Sequence, residues 1–346
     1  MTEERLIQLL ESQYGLENVT LEFLREGGNK TYIVNGENGK GEEKYLLKVI
    51  GAAFFATAKQ SVLVMRYLEE NGFPVPKTIL TQAGEAIVEV SDNSDVAGAD
   101  DGVDGVSGAV AECSAVADGG ESAENSGAAD GEPCLLLLQE FIEGEEPNLE
   151  EAETAEKVGE LVGKLHYLME SYPVKPVLRD KQFFIGRYID FLRQKAYPQI
   201  AAYEELGERL WKKVENLPCG VCHGDLHRGN LLQTKDGKLY FLDFDTICRA
   251  PVMFDVMVMC DMTNYFNLQQ EDIETTSAVY EKFLIGYTKC RALIPEEKLS
   301  FQTWVAIRHF QLQATILEVH GINCIDEQFI DWQLYWLNKW MELQEK

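Results

Sequence analysis

The chain has 346 residues, with 58 acidic against 31 basic side chains and a formal net charge of −27. That balance excludes a general nucleic-acid binder and disfavours anionic membrane surfaces, because neutralising phosphate needs clustered Lys and Arg. No apolar run approaches the roughly 18–20 residues of a membrane span, and Met1-Thr2-Glu3-Glu4-Arg5 does not read as an export signal, so a cytoplasmic protein with reduced cysteines is expected. Along the chain, Leu6, Ile7, Leu10 and Tyr14 recur at helical spacing before Gly15. Val19, Leu21 and Phe23 then alternate with polar residues as a strand does. Gly27-Gly28-Asn29 supplies turn chemistry, 31–34 is the returning strand, 36–41 a second turn and 45–49 a third strand. Residues 56–70 read as a helix stopped at Asn71-Gly72, and two more strands are expected at 86–90 and 135–138.

Between those last two strands, residues 91–132 hold 11 acids, eight glycines and no Lys, Arg or aromatic residue. Such a segment cannot bury enough apolar surface to offset its ordering entropy, so it is expected to be a disordered acidic insertion. After Gly144 the pattern turns helical. Residues 152–172 carry Val158, Leu161, Val162, Leu165 and Leu168 on one side, and 183–215 read as further helices. A β-rich centre spans 220–244. Helices are expected from 271 to the end, with Trp332, Trp336 and Trp340 as a core-facing stripe. The expected class is α+β in two lobes: a small β-rich lobe over 1–142 and a larger helical lobe over 143–346, joined near 141–147.

The chemistry concentrates in His223-Gly224-Asp225-Leu226-His227-Arg228-Gly229-Asn230 and, after a turn at Asp236-Gly237, Leu242-Asp243-Phe244-Asp245. An Asp, an Asn five residues on, and a second Asp beyond a hairpin is the spacing of a phosphoryl-transfer site. One acid orients and deprotonates a hydroxyl, and the other two residues hold Mg²⁺ on the phosphates. An alcohol is a poor nucleophile and a triphosphate repels it, so both tasks are needed.

These residues resemble the aminoglycoside phosphotransferase and choline kinase family, which shares a two-lobed fold with protein kinases. The resemblance covers most of the chain outside the acidic insertion. It implies that Asp225 is the catalytic base and that Asn230 and Asp243 are metal ligands. Lys48 would pair with the α- and β-phosphates of ATP, with Lys44 as the neighbouring alternative. The turn Gly27-Gly28-Asn29 would lie over the phosphates, and backbone groups of Glu140 and Ile142 would bind adenine. Asp255, His223 and His166 would be structural. The family's usual Lys partner is a helix Glu, but that position falls on Ser61. Arg228 stands where the family usually has proline.

The implied activity is ATP-dependent phosphorylation of a hydroxyl on a small molecule such as an aminoglycoside, choline or homoserine. The acidic composition is compatible with a cationic acceptor, and Asp261, Asn264 and Tyr265 are the candidate acceptor-lobe residues. Two other classes remain: a nucleotide-binding module with little turnover, and a protein kinase, which would need a longer activation loop than the stretch between Asp243 and Asp255 provides. Cys219-Gly220-Val221-Cys222-His223 fits a haem-attachment pattern, but with no export signal reduced structural thiols are the expected reading.

Overall fold

The protein is described by a computed structural model over residues 1–26, 29–39, 41–91 and 133–344. The glycines of the expected phosphate turn, Gly27 and Gly28, and the acidic insertion from 92 to 132 lie outside the described residues. The first lobe contains α1 (Glu3–Tyr14), β1 (Glu17–Glu26), β2 (Asn29–Asn38), β3 (Gly41–Gly51), α2 (Phe55–Glu70), β4 (Val88–Val90) and β5 (Cys134–Glu140). The strands form one antiparallel sheet in the order β1-β2-β3-β5-β4.

β5 explains itself from its neighbours. Leu136 and Leu138 pack with Leu6, Leu9 and Leu10 of α1, while Leu135 and Leu137 pack with Ala58 and Val62 of α2. A strand covered on both faces loses its polar alternation, hence the unbroken leucine run. Each fully buried leucine contributes about 1.5–3 kcal/mol. β3 is likewise covered on both faces over 47–50. Tyr45, Leu47 and Val49 join the α1 side, and Ile50 joins the α2 side. By the two-residue period Lys48 shares the face of Ile50. One boundary differs from the sequence expectation. The β2–β3 ladder runs on through Glu37↔Glu42 and Asn38↔Gly41, so Gly36 lies inside a strand rather than in a turn. Backbone pairing sustains the ladder there without a side chain.

The second lobe comprises α3 (Ala152–Met169), α4 (Arg187–Gln194), α5 (Ile200–Trp211), β6 (Cys219–Cys222), β7 (Leu231–Gln233), β8 (Leu239–Phe241), β9 (Cys248–Pro251), α6 (Met253–Cys260), α7 (Gln270–Tyr287), α8 (Pro295–Leu299), α9 (Phe301–His320) and α10 (Glu327–Gln344). Two short ladders, β6–β9 and β7–β8, brace the loop 223–230. Cys222 is buried opposite Cys248, whereas Cys219 is exposed. Cys219 and Cys222 carry free thiols on opposite faces, since residues three apart on a strand point opposite ways.

Helices α3 and α7 pack backbone to backbone. A Cβ on Gly159 would stand 2.0 Å from the Phe283 carbonyl oxygen, and one on Gly286 would stand 1.9 Å from that of Glu156. Only glycine permits this approach. On α10, Trp336 and Trp340 are buried, while Trp332 stays at the edge and stacks on Phe266. Among the described residues no helix is long and apolar enough to cross a membrane.

Candidate active site

The face of β3 that carries Lys48 looks into the cleft between the lobes. Lys48 Nζ donates to Asp243 Oδ1 at 3.0 Å and lies 3.5 Å from Asp245 Oδ2. Burial opposes the charge on Lys48, but Asp245 and Asp243 more than reverse this and hold its pKa above the ordinary value. The two acids diverge. Asp243 sits below the usual carboxylate range because Lys48 outweighs its burial. Asp245 is pushed up, first by burial and then by the charge of Asp243 beside it. Lys44, the alternative, sits instead with its ammonium 6.0 Å from the Phe141 ring.

Asp245 also answers the absence of a helix Glu. Ser61 of α2 is buried and its side chain hydrogen-bonds Asp245. The link from α2 to Lys48 therefore runs Ser61–Asp245–Lys48, with the acid supplied by the turn after β8. Asp243 itself has φ 61° and ψ 65°, an uncommon backbone for a residue with a Cβ. Arg25 reaches Asp243 from β1 at 4.0 Å, with its side chain mostly exposed.

Below the cleft, the loop after β6 is held by Asp255 of α6. Asp255 Oδ2 accepts from the His223 amide at 2.6 Å, Oδ1 accepts from the Gly224 amide at 3.0 Å, and His166 Nε2 lies 3.1 Å from Oδ2. Asp255 is fully buried, so these donors replace its lost water. His166 Nδ1 meets the Tyr287 hydroxyl at 2.7 Å, which ties α3, α6 and α7 to one carboxylate. His223 Nε2 donates to the Leu242 carbonyl at 2.8 Å and so joins the two motifs. Gly224 has φ +89°, and a Cβ on it would stand 2.1 Å from the Thr246 carbonyl oxygen. The same loop directs Asn230 Nδ2 to the Asp225 carbonyl at 2.8 Å, which leaves Asn230 Oδ1 as its remaining functional atom. The Asp225 carboxylate is half exposed. Its two oxygens lie 3.6 Å from Arg308 and 3.6 Å from His227 Nε2. Arg228 is exposed.

Between the lobes lies a cavity of about 370 Å³. Its apolar walls include Leu46, Met65, Phe141, Leu232 and Leu242, and its polar end carries Lys48, Asn230 and Asp243. Glu140 and Ile142 also line it. The Glu140 amide donates to the Lys77 carbonyl at 2.8 Å, which fixes the connecting segment. Asn29 pairs with Ile50 in the sheet and is not part of this lining; its Oδ1 is buried with no hydrogen-bond partner among the described residues. Asp225 also lies outside the lining.

Of the acceptor-lobe candidates, Asp261 and Tyr265 are brought together, with Tyr265 donating to Asp261 Oδ2 at 2.7 Å. Asp261 Oδ1 accepts from both the amide and the hydroxyl of Thr263. Asn264 is spent on its own loop, where its Oδ1 accepts from the Phe266 and Asn267 amides. Sequence reasoning missed Arg308, a lone basic residue in the apolar run of α9. Its signal is faint: Gln311 and Thr315 follow at helical spacing on the same side.

Residues 20–293 match the phosphotransferase enzyme family. A homoserine kinase of Neisseria meningitidis serogroup B is 24% identical over 180 residues, which is 50% of this chain and 55% of that protein. The matched stretches span about half the length of the curated relatives. Among solved structures, an amicoumacin kinase in complex with AMP-PNP, Ca²⁺ and Ami has a TM-score of 0.68 at 16% identity, covering 98% of this chain and 94% of that one. A microcompartment-associated aminopropanol kinase has a TM-score of 0.66 at 18% identity, covering 99% and 97%. At these identities the likeness is one of fold, the two-lobed kinase-like architecture already traced. A β-rich lobe over a helical lobe, an Asp–Asn loop braced by a buried acid, and a strand lysine bonded to the second Asp are accounted for together: the chain belongs to the phosphotransferase enzyme family.

Proposed function

We propose that the protein transfers the γ-phosphoryl group of ATP to a hydroxyl of a small molecule in the cytoplasm. The observation that carries this reading is the Lys48–Asp243 contact of 3.0 Å across the cleft, above a loop that supplies Asp225 and Asn230. The names of the amicoumacin, aminopropanol and homoserine kinases support the same reaction class. In this reading residues 1–142 form the nucleotide lobe and 143–346 the catalytic lobe. Adenine lies against the backbone of Glu140 and Ile142, and the phosphates lie at the polar end with Lys48.

The residues present suit a divalent cation. Asp243 is held ionised beside Lys48, and Asn230 keeps a carbonyl oxygen for coordination. Mg²⁺ held by Asn230 and Asp243 would neutralise phosphate charge. Lys48 steadies the α- and β-phosphates. Asp225 orients the acceptor hydroxyl and takes its proton as the oxygen bonds to the γ-phosphorus and the bond to ADP breaks. The missing helix Glu, the one feature favouring a binding module without turnover, is offset by Asp245 reaching Lys48. The test is ATP consumption against a panel of hydroxyl compounds. Rates no higher with any acceptor than with water alone, in a protein that binds Mg-ATP, would overturn the transfer reading.

A further inference from the structure

Arg308 is an unusual residue for its place. Around it on α9, Trp304, Val305, Ala306, Ile307 and Phe310 are fully buried. A guanidinium set in such a helix costs desolvation and side-chain entropy unless something holds it. What holds it is thin. Its NH1 group donates to Gln311 Oε1, the one hydrogen bond found for it among the described residues. The Phe254 ring lies 5.8 Å away. Asp225 Oδ1 lies 3.6 Å from NH2, close enough for charge attraction but beyond a normal hydrogen bond. None of its nitrogens is a buried orphan, and the NH2 group, with no hydrogen bond found among the described residues, is the one nearest Asp225. Gln311 is held in turn, since its Nε2 donates to the Thr315 hydroxyl at 3.2 Å and that hydroxyl donates to the Gln311 carbonyl at 3.1 Å. The guanidinium is thus braced on one side and open on the other.

Resting on the phosphotransfer reading, we infer that the acceptor is a small hydroxy compound bearing a carboxylate, and that Arg308 binds that carboxylate while Asp225 holds the hydroxyl. Arginine's planar fork matches a carboxylate in two parallel hydrogen bonds. With Arg308 and Asp225 separated by 3.6 Å and each contact about 2.7–2.9 Å long, hydroxyl and carboxylate oxygens fall within about 9 Å of one another, so the acceptor is short. A cationic group placed at Arg308 meets the wrong sign. His227 Nε2 lies 3.6 Å from Asp225 on its other oxygen. The nearby Asp261 already takes hydrogen bonds from Thr263 and Tyr265 on its two oxygens, and burial pushes its carboxyl pKa up in spite of Arg308. Arg308 stands 3.6 Å from Asp225, and an acceptor carboxylate would draw the guanidinium to itself and leave Asp225 to the hydroxyl.

The test uses matched acceptors: short hydroxy acids and hydroxy-α-amino acids, the same compounds as neutral amides, and amino alcohols without a carboxylate, with ADP release as readout. Wild type should use at least one acid with a kcat/KM about tenfold or more above its amide. Arg308→Gln should abolish most of that advantage, mainly through the KM of the acid, while the amide changes by less than about threefold. Arg308→Lys should keep part of it. If Arg308→Gln proves poorly folded by circular dichroism, Gln311→Ala keeps the charge but frees the guanidinium, and should raise the KM of the acid selectively. Preference of the wild type for amides or amino alcohols overturns the inference alone. An equal loss for acids and amides in Arg308→Gln also overturns it and makes Arg308 a structural brace. No turnover of any of these acceptors overturns the inference, and the phosphotransfer reading falls with it only when the wider hydroxyl panel also gives none.

Discussion

The two sides of the candidate site are built differently. The nucleotide side joins both lobes, with a strand lysine at hydrogen-bond distance from an acid of the other lobe and a second acid at 3.5 Å. The side read as the acceptor's belongs to the helical lobe alone, and its charges stand 3.6 Å apart, with Asp225 and His227 partly open and Arg308 mostly buried. Charges in direct contact are already committed to one another, and any ligand must displace that contact. Charges slightly apart are waiting for a third party. The first arrangement fixes a constant partner, and the second suits a variable one.

The contrast is sharpest in a pair of near-isosteric substitutions. Asp225→Asn should lower kcat by about 10² to 10⁴ while Mg-ATP affinity stays within a few-fold. Asp243→Asn should lower turnover and metal-dependent nucleotide affinity together, the latter by about tenfold or more. Nucleotide titration alongside single-turnover kinetics separates the two, and equal behaviour of both variants would erase the distinction between the sides. Asp255→Ala strikes the floor common to both. It leaves the His223 and Gly224 amides and His166 without their acceptor and should cost about 3–5 kcal/mol in urea unfolding.

Behind the acceptor wall, His309 packs between Tyr265 and Trp336 with Nδ1 on Gln333. Burial pushes its pKa down to about 3. The unfolded chain takes up this proton near the ordinary value of about 6.5, and the folded one does not until about 3. Stability should therefore fall as pH drops below about 6.5, by up to about 1.4 kcal/mol per pH unit from this group. His309→Phe should flatten the pH dependence of the urea midpoint, and an unchanged slope would show that the ring is protonated where it stands. On the nucleotide side, Asp245→Asn should weaken Mg-ATP binding about three- to tenfold by loosening Lys48, with acceptor KM unaffected. Arg228→Ala, at an exposed site, should leave stability within about 0.5 kcal/mol and kcat/KM within about twofold.

What was readable in the sequence follows the same division. The Asp225, Asn230 and Asp243 spacing is compressed into one loop and one hairpin, so local geometry nearly dictates the arrangement. The strands at 45–49 and 135–138 were readable as short apolar runs between turn signals, which put Lys48 on the first of them. Asp245 stood in plain view beside Asp243, but its reach to Lys48 and Ser61 depends on where α2 meets the turn after β8, which no local pattern encodes. Arg308 was harder still. It lies 83 residues after Asp225 in the chain, and a single basic residue on a helix normally reads as solvated surface.

The glycine seam between α3 and α7 has a bearing on engineering. Gly159 and Gly286 let the two backbones touch, α3 carries His166 and α7 carries Tyr287, and this couple ends on Asp255. The spacing of two helices away from the cleft thus acts as a shim beneath the loop that presents Asp225. One added methyl group at Gly286, where a Cβ would stand 1.9 Å from the Glu156 oxygen, must wedge the helices apart and tilt that loop. A tuning screw for the loop of Asp225 therefore exists at an uncharged position outside the cavity lining.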